Sequence, residues 1–237
     1  MLAKYDLREA QPCFDFFTWL VHVKAQGATE IILQTKTISP MLMFEWGLQD
    51  VRRRAKSILF PGPALAGLPC RECVNGEEGQ IKGTASFSKF LENYKPDYNF
   101  PRLKTVLPPK QVDFTVTLRK SKQEPWRNSD EKLWRGFAAD IGALVIEDYS
   151  VKPIHLHERM ALYAGATMNF FVLGGPSHLL YFTDYPFMVF GCEKRIFEKR
   201  KFYVGEKFAW FNSNQHLVWE PISKSTLWKY GGAVLNV

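Results

Sequence analysis

The stretch from Met168 to Gly191 constrains the fold more than any other part of this 237-residue chain. Two glycines and a proline interrupt it, and apolar runs lie on either side. It predicts, in order, a strand over Asn169 to Leu173, a turn over Gly174 to Ser177, a short helix over His178 to Asp184 and a strand over Phe187 to Phe190. This order is typical of a parallel α/β unit. Free N–H groups at the helix start, and the close approach that two glycines permit, favour an anionic ligand at the turn.

The rest of the second half repeats the same alternation of strands and helices. Val112 to Leu118 and Ala143 to Ile146 predict strands, and Ile154 to Gly165 predicts a helix. A further helix is predicted from Asp130 to Ile141, with Ser129 as its N-cap. Short connections between these elements require a parallel sheet with right-handed crossovers.

The first half predicts a smaller α/β lobe. Its elements are strands at Lys4 to Arg8 and Glu30 to Thr35, helices at Phe14 to Gln26 and Phe87 to Tyr94, one long helix from Pro40 to Leu59, and a loop or hairpin from Leu68 to Lys82. The proline-rich segment from Lys95 to Lys110 predicts a linker. We therefore expect an N-terminal domain over 1–110 and a C-terminal domain over 111–237, with Phe208 to Trp219 and the tail after it packing back on the first lobe.

The composition limits the cellular location and the class of protein. Hydrophobic residues make up 46% of the chain, which excludes a disordered one. The net charge of +7 is dispersed, apart from Arg52-Arg53-Arg54 and the run Lys194 to Lys201. Such a charge suits a cleft for phosphorylated ligands, an anionic membrane surface or a merely solvated surface better than nucleic acid. We read neither a signal peptide nor an apolar membrane-spanning run, so a cytoplasmic location is expected.

Several common chemistries are excluded by motif. Cys70 and Cys73 form a lone CxxC without a second ligand pair, so ordinary thiols are expected and no metal. His155 and His157 do not form the HExxH pattern of zinc proteases. The chain has no GxSxG, Walker A or GxGxxG motif, which argues against a serine hydrolase, a P-loop kinase and a standard dinucleotide dehydrogenase.

The candidate site lies in three loops that follow predicted strands, because ligands of open α/β sheets bind beyond the carboxyl ends of the strands. The loops are Arg119 to Ser129, Glu147 to Ile154, and Gly174 to His178. Each candidate also has a plain structural reading as a helix cap, turn residue, surface ion or core side chain. The candidates for binding substrate or phosphate are Arg119, Arg127, Asn128, Ser129, Glu158, Gly174, Gly175, Pro176, Ser177 and His178, and those for proton transfer are Asp15, Glu147, Asp148 and His155.

The region from Val112 to Gly191 resembles the donor-binding half of GT-B-type glycosyltransferases, especially the heptosyltransferase-like group. In that group a strand ends in Gly-Asp-Ser-Gly-Pro, followed by His-Leu-Ala, a short helix, a strand that begins with proline, and a glycine. Here Val172 to Leu180 and then Pro186 to Gly191 follow that pattern, with Leu173 and Gly174 in place of the acidic and hydroxyl residues. The segment from Thr115 to Ser129 is similar to a feature of poorly characterised bacterial proteins of this type.

The resemblance implies a compact GT-B-like α/β fold of two Rossmann-like parallel-sheet lobes, the N-terminal one reduced. It also implies a metal-independent transfer from a nucleotide-sugar donor to a glycan or lipid-linked acceptor, without a cofactor. Gly174 to Ser177 would contact the diphosphate, and Arg127 or Arg119 would neutralise the leaving phosphate. Two alternatives stay open: a non-catalytic partner protein on a degenerate scaffold, motivated by Leu173-Gly174 and the short first lobe, and a nucleic-acid binder.

Overall fold

The computed structural model describes residues 1–74, 76–81, 101–121, 124–147, 154–193 and 205–235. The chain divides into two compact units, Met1–Val106 and Leu107–Val237. The predicted helix from Phe87 to Tyr94, the start of the proline-rich segment and the basic run from Lys194 to Lys201 lie outside the described residues.

The first unit is built on a small parallel sheet. Its strands are β1 (Leu2–Asp6), β2 (Glu30–Gln34) and β3 (Cys70–Glu72), paired in the order β1-β2-β3, and α1 (Asp15–Ala25) connects the first two. β3 pairs in parallel with β2, so the hairpin reading of Leu68 to Lys82 is wrong. Three residues of mixed polarity carry too little periodicity to identify such a strand, and its partner is distant in sequence.

The predicted long helix from Pro40 to Leu59 is instead a broken series of short helices. It divides into α2 (Pro40–Trp46), α3 (Leu48–Arg54) and a π-helical segment (Ala55–Leu59), and α4 (Gly62–Leu65) follows. The break lies at Gly47, whose φ of 76° is in the region that glycine adopts most easily. The prediction of one continuous helix was therefore wrong, because Gly47 separates α2 from α3.

The second unit is a five-stranded parallel sheet with helices between its strands. The elements are β4 (Val112–Leu118), α5 (Glu131–Asp140), β5 (Leu144–Glu147), α6 (Leu156–Gly165), β6 (Ala166–Val172), α7 (Gly175–Tyr181), β7 (Phe187–Phe190), β8 (Gln215–Leu217) and α8 (Lys224–Leu235). The strand order is β5-β4-β6-β7-β8, and every pair is parallel. The predicted fold class is confirmed: an α/β chain with two Rossmann-like parallel sheets, of which the first is the smaller among the described residues.

The tail that we expected on the first lobe supplies two elements of the second unit. β8 pairs with β7, and α8 packs against α5. The rings of Phe137 and Trp228 meet edge to face with centroids 6.3 Å apart. Gly231 permits this contact, because a Cβ there would overlap the Phe137 ring. The described tail therefore completes the core of the second unit.

A buried polar network fixes the register of the second sheet. The Thr115 hydroxyl donates to Asn169 Oδ1 at 2.6 Å, and Asn169 Nδ2 lies 3.0 Å from the Tyr163 carbonyl and 2.8 Å from the Pro186 carbonyl. Thr117 Oγ1 lies 2.8 Å from the Tyr163 hydroxyl. A register shift would leave these buried polar groups unpaired, at a cost of about 1–3 kcal/mol for each group.

Two glycines give a matched test of the packing. A Cβ at Gly165 would overlap the backbone carbonyl of Lys110, whereas a Cβ on Gly136 of α5 meets nothing within 4 Å. We expect Gly165→Ala to lower the free energy of unfolding by about 1–3 kcal/mol. Gly136→Ala, the control, should raise it by up to about 1 kcal/mol through helix propensity. Urea unfolding measures both, and an unchanged Gly165→Ala variant would contradict the packing.

The acid dependence of stability provides a second test. Arg71 Nε donates to Glu30 Oε1 at 2.7 Å and its Nη1 to Glu77 Oε2 at 2.7 Å, which ties β3 to β2. Hydrogen bonds from Arg71 lower the pKa of Glu77 to about 2. Because this pKa is depressed on folding, the stabilisation is complete above the ordinary value of about 4.3 and is lost as the pH falls towards 2. Glu77→Gln should therefore flatten the fall in unfolding free energy across this window.

The matched control is Glu45→Gln, which removes an exposed carboxylate from α2. It should leave the acid dependence of unfolding as it is in the unmodified protein. If Glu77→Gln and Glu45→Gln give the same profile, the assignment of the acid sensitivity to the Arg71 contacts is wrong.

Candidate functional site

The carboxyl ends of β4 and β6 lie side by side, which brings Arg119 into contact with Gly174. A Cβ on Gly174 would lie 2.5 Å from Cδ of Arg119 and 2.6 Å from its Nε. The φ of Gly174 is 173°, an extended conformation that any residue adopts. Glycine is therefore needed here for space, because the arginine side chain lies across its backbone.

The guanidinium of Arg119 is buried and engaged in internal hydrogen bonds. Nη1 donates to the Glu124 carbonyl at 2.9 Å and to Asn128 Oδ1 at 3.1 Å, and Nη2 donates to Glu124 Oε2 at 2.8 Å. Of the two arginines, Arg119 is thus the one that organises the loop. It positions Arg127, the second arginine, because both donate to the Glu124 carboxylate.

Asn128 and Ser129 close the same loop. Asn128 Oδ1 also accepts from the Ser121 amide at 2.6 Å, and its Nδ2 donates to the Ser121 carbonyl at 3.1 Å. Ser129 Oγ accepts from the Arg119 amide at 2.8 Å. The predicted N-cap is wrong by one residue, because Asp130 Oδ1 accepts from the Leu133 amide at 3.1 Å and caps α5. The Ser129 hydroxyl is used in closing the loop instead.

Arg127 is the more accessible of the two arginines, with 18% of its side chain exposed. It belongs to a single 3-10 turn, Pro125–Arg127, that precedes α5. Nη1 donates to Glu124 Oε2 at 2.6 Å, and Nη2 donates to the Leu173 carbonyl at 3.0 Å. Its Nε is buried and has no hydrogen-bond partner among the residues that the structure describes. Arg127 therefore links the loop after β4 to the end of β6 and keeps one unsatisfied donor.

Glu124 is the site residue that the sequence did not identify. Its carboxylate accepts from both Arg119 and Arg127. The available signal was the i,i+3 spacing of Glu124 and Arg127, but that spacing is common in solvated loops. Only the fold shows that Arg119 reaches the same oxygen, so the cluster carries two positive charges and one negative charge.

The turn after β6 is held by its own hydrogen bonds. Ser177 is fully buried, its hydroxyl donates to the Gly174 carbonyl at 2.7 Å, and its Oγ lies 3.1 Å from the Tyr181 hydroxyl. Pro176 is buried in the first turn of α7, which begins at Gly175, three residues earlier than predicted. His178 is half-buried, with its ring centroid 5.1 Å from that of Tyr181. Ser177 therefore acts structurally in this turn.

The proton-transfer candidates belong to different elements of the two units. Glu147 ends β5 opposite Leu118 of β4, at the same sheet edge, and accepts a hydrogen bond from Arg135 of α5. His155 is exposed and caps α6 by accepting from the His157 amide at 3.3 Å, and Glu158 is exposed in the first turn of that helix. Asp15 begins α1 of the first unit. Asp148 lies outside the described residues.

The thiols of Cys70 and Cys192 are held protonated. Burial raises the pKa of Cys192, beside the carboxyl end of β7, to about 12, although the positive charge of Arg127 opposes the shift. Burial likewise raises the pKa of Cys70 to about 11. Neither thiol is poised as a nucleophile at neutral pH, because the thiolate is the reactive form. Within the described ranges, no three His, Cys, Asp or Glu side chains group as metal ligands.

Comparison with solved structures finds likenesses to glycosyltransferases. E. coli heptosyltransferase WaaC with ADP-2-deoxy-2-fluoro heptose matches at 12% identity and a TM-score of 0.48, over 98% of this chain and 99% of that one. WaaC with ADP matches at 13% identity and 0.47, over 99% and 100%. The iron-containing dodecameric glycosyltransferase TibC from enterotoxigenic E. coli H10407 matches at 11% and 0.38, over 99% and 76%. No protein-family model and no curated protein matches the chain.

A double-mutant cycle tests the contact between Arg119 and Gly174. Gly174→Ala should cost about 1–3 kcal/mol, because the new Cβ displaces a side chain that three hydrogen bonds hold in place. In an Arg119→Met background the thioether chain can move aside, so the same alanine should cost clearly less. Urea unfolding of the four proteins gives the coupling energy, and purely additive costs would contradict the contact.

Proposed function

We propose that this chain is a glycosyltransferase-like protein whose second unit binds the diphosphate of a nucleotide sugar beyond the carboxyl ends of β4 and β6. The supporting observation is the placement of Arg127. Its guanidinium lies between the loop after β4 and the end of β6 and retains a buried Nε without a partner. In an open parallel α/β sheet this edge is where ligands bind.

The chemistry of Arg127 suits a phosphate oxygen. Guanidinium groups form short, charge-assisted hydrogen bonds with phosphate, often with two N–H groups at once. In this proposal Nε and one Nη contact the ligand, and Glu124 remains with Arg119. The positive charge would stabilise the diphosphate as it leaves, which is a means of catalysis that requires no metal.

Arg119 and Gly174 have supporting roles in the proposal. Arg119 donates three hydrogen bonds to Glu124 and Asn128, so it orients Arg127 through Glu124. Gly174 leaves room for the arginine side chain, and Gly175 and Pro176 continue the turn beside it. We assign the diphosphate to the Arg127 side of this turn.

Removal of the acceptor proton is the second requirement of transfer. Glu147 is our first candidate, since it ends the strand next to β4 at the same edge as Arg119. The Arg135 guanidinium donates to this carboxylate, which would have to leave that contact to accept a proton. Asp15, Asp148 and His155 are the other candidates. We propose a glycan or lipid-linked precursor as the acceptor, and the cytoplasm as the setting.

One observation favours a second function, that of a non-catalytic partner protein on the same scaffold. The charged groups at the edge are already paired with one another: Glu124 with two arginines, and Glu147 with Arg135. A transferase must release at least one of these pairs when substrate binds. A partner protein would keep them as structure, and Arg127 could then be replaced with little effect on its function.

Ligand-induced thermal stabilisation tests donor binding. The probes are nucleoside diphosphates and nucleotide sugars with different bases and sugars. A donor at about one hundred times its Kd should add roughly 2.7 kcal/mol to folded-state stability. Arg127→Gln should weaken binding by roughly tenfold or more, because it removes a charged donor. Lys104→Gln, which removes one exposed positive charge in the first unit, should not.

The ligand-induced shift is compared within each variant, because Arg127→Gln also loses its contact with the Leu173 carbonyl. Absence of a shift with every probe, or equal shifts in both variants, would overturn the proposed donor site. A shift that depends on Arg127, without release of nucleotide or transfer of sugar to any acceptor, would support the donor site and contradict catalysis.

A further inference from the structure

The helices α2 and α3 of the first unit present large apolar side chains to solvent. Met41 is 61% exposed, Met43 41%, Phe44 92% and Leu48 39%. We call these four residues the α2–α3 apolar surface. Within the two helices, only Leu42 and Val51 are buried. Each helix therefore packs on the unit through one buried side chain, and most of its other side chains are exposed.

The exposure of Phe44 is the unusual feature. A phenylalanine ring that stays in water lacks the stabilisation that its burial would give. Single exposed apolar residues are common on protein surfaces, but four large ones between Met41 and Leu48 indicate a contact surface. Gly47 interrupts the helix between Phe44 and Leu48, so two short helices rather than one long helix carry the surface.

Basic side chains follow the apolar surface along the chain. Arg52 and Lys56 are exposed, lie four residues apart, and form no ion pair with any residue in the described part of the chain. The other two cations are engaged: Arg53 donates to Asp50 at 3.2 Å, and the Arg54 guanidinium lies 4.2 Å from the Trp46 ring centroid. Glu45 is the exposed acidic residue of α2 that opposes this charge.

We propose that the α2–α3 apolar surface docks on an anionic lipid bilayer. Methionine, phenylalanine and leucine side chains would enter the boundary between headgroups and acyl chains, while Arg52 and Lys56 contact headgroup phosphates. Apolar side chains beside unpaired cations are what interfacial helices present to anionic lipid. The paired Asp50 reduces repulsion from the headgroups, and the chain as a whole carries +7.

This docking surface is independent of the anion site in the second unit, since it needs neither Arg127 nor the glycine turn. The described residues include no helix long and apolar enough to cross a membrane. The contact proposed is peripheral, and it would be weakened by salt because part of it is electrostatic.

Vesicle co-sedimentation of the full chain tests the proposal. The vesicles are phosphatidylcholine alone, or phosphatidylcholine with one quarter phosphatidylglycerol, at low and high salt. We expect the protein to partition to the anionic vesicles, and less so at high salt. Met41→Ser with Phe44→Ser should lower the partition coefficient by about tenfold or more. Arg52→Gln with Lys56→Gln should lower it by about tenfold on anionic vesicles alone.

Matched controls carry the same chemical changes elsewhere. Val74→Ser removes another exposed apolar side chain, and Lys104→Gln with Lys132→Gln removes two exposed cations. Both controls should bind vesicles as the unmodified protein does. Unchanged thermal unfolding and unchanged nucleotide-sugar binding in the test variants would show that folding and the anion site are intact.

Three outcomes would overturn the docking proposal. One is that the unmodified protein does not bind anionic vesicles, and another is that the control and test variants bind equally. The third is that the protein forms a dimer in light scattering that Phe44→Ser dissociates, which would show that a second copy covers the surface. None of these outcomes bears on the donor site, because thermal shift assays read that site separately.

Discussion

The second unit depends on the hydrogen bonds of one buried amide, Asn169. Its side chain joins β4 through Thr115, α6 through the Tyr163 carbonyl, and the start of β7 through the Pro186 carbonyl. Because these partners belong to different elements, a shift of any strand would leave polar groups in the core without hydrogen-bond partners. The same register brings Arg119 at the end of β4 beside Gly174 after β6, so the network fixes the geometry of the candidate site.

Charge pairing at the sheet edge follows from that geometry. Arg119 is buried, and a buried guanidinium is tolerated only when carboxylate and carbonyl oxygens surround it. Glu124 and Asn128 supply those oxygens, and Glu124 also holds Arg127. The outcome is one arginine committed to structure and one that retains an unsatisfied Nε. This division of roles is the physical basis for our proposal that Arg127 binds phosphate.

Local sequence identified the strands and helices that are long or bounded by clear signals. Val112 to Leu118 is predicted with its observed limits, and the alternation of elements implies a parallel sheet. The errors arise where local signals are weak or compete. Gly47 divides an otherwise helical run, β3 is three residues long, and Asp130 rather than Ser129 caps α5. Glu124 was not predicted as a site residue, because only the fold brings its second partner, Arg119, to it.

The sequence by itself determined the class of the fold, and it predicted the loops in which we propose a ligand site. Periodicity and turn residues act over a few neighbours, and they suffice to order strands and helices along the chain. Tertiary structure alone decided which arginine stays available, which hydroxyls close loops, and where the tail packs. These outcomes depend on contacts between residues far apart in sequence, such as Arg127 with Leu173 and Asn169 with Thr115. Polar groups that lose their contact with water on burial must then form hydrogen bonds within the protein.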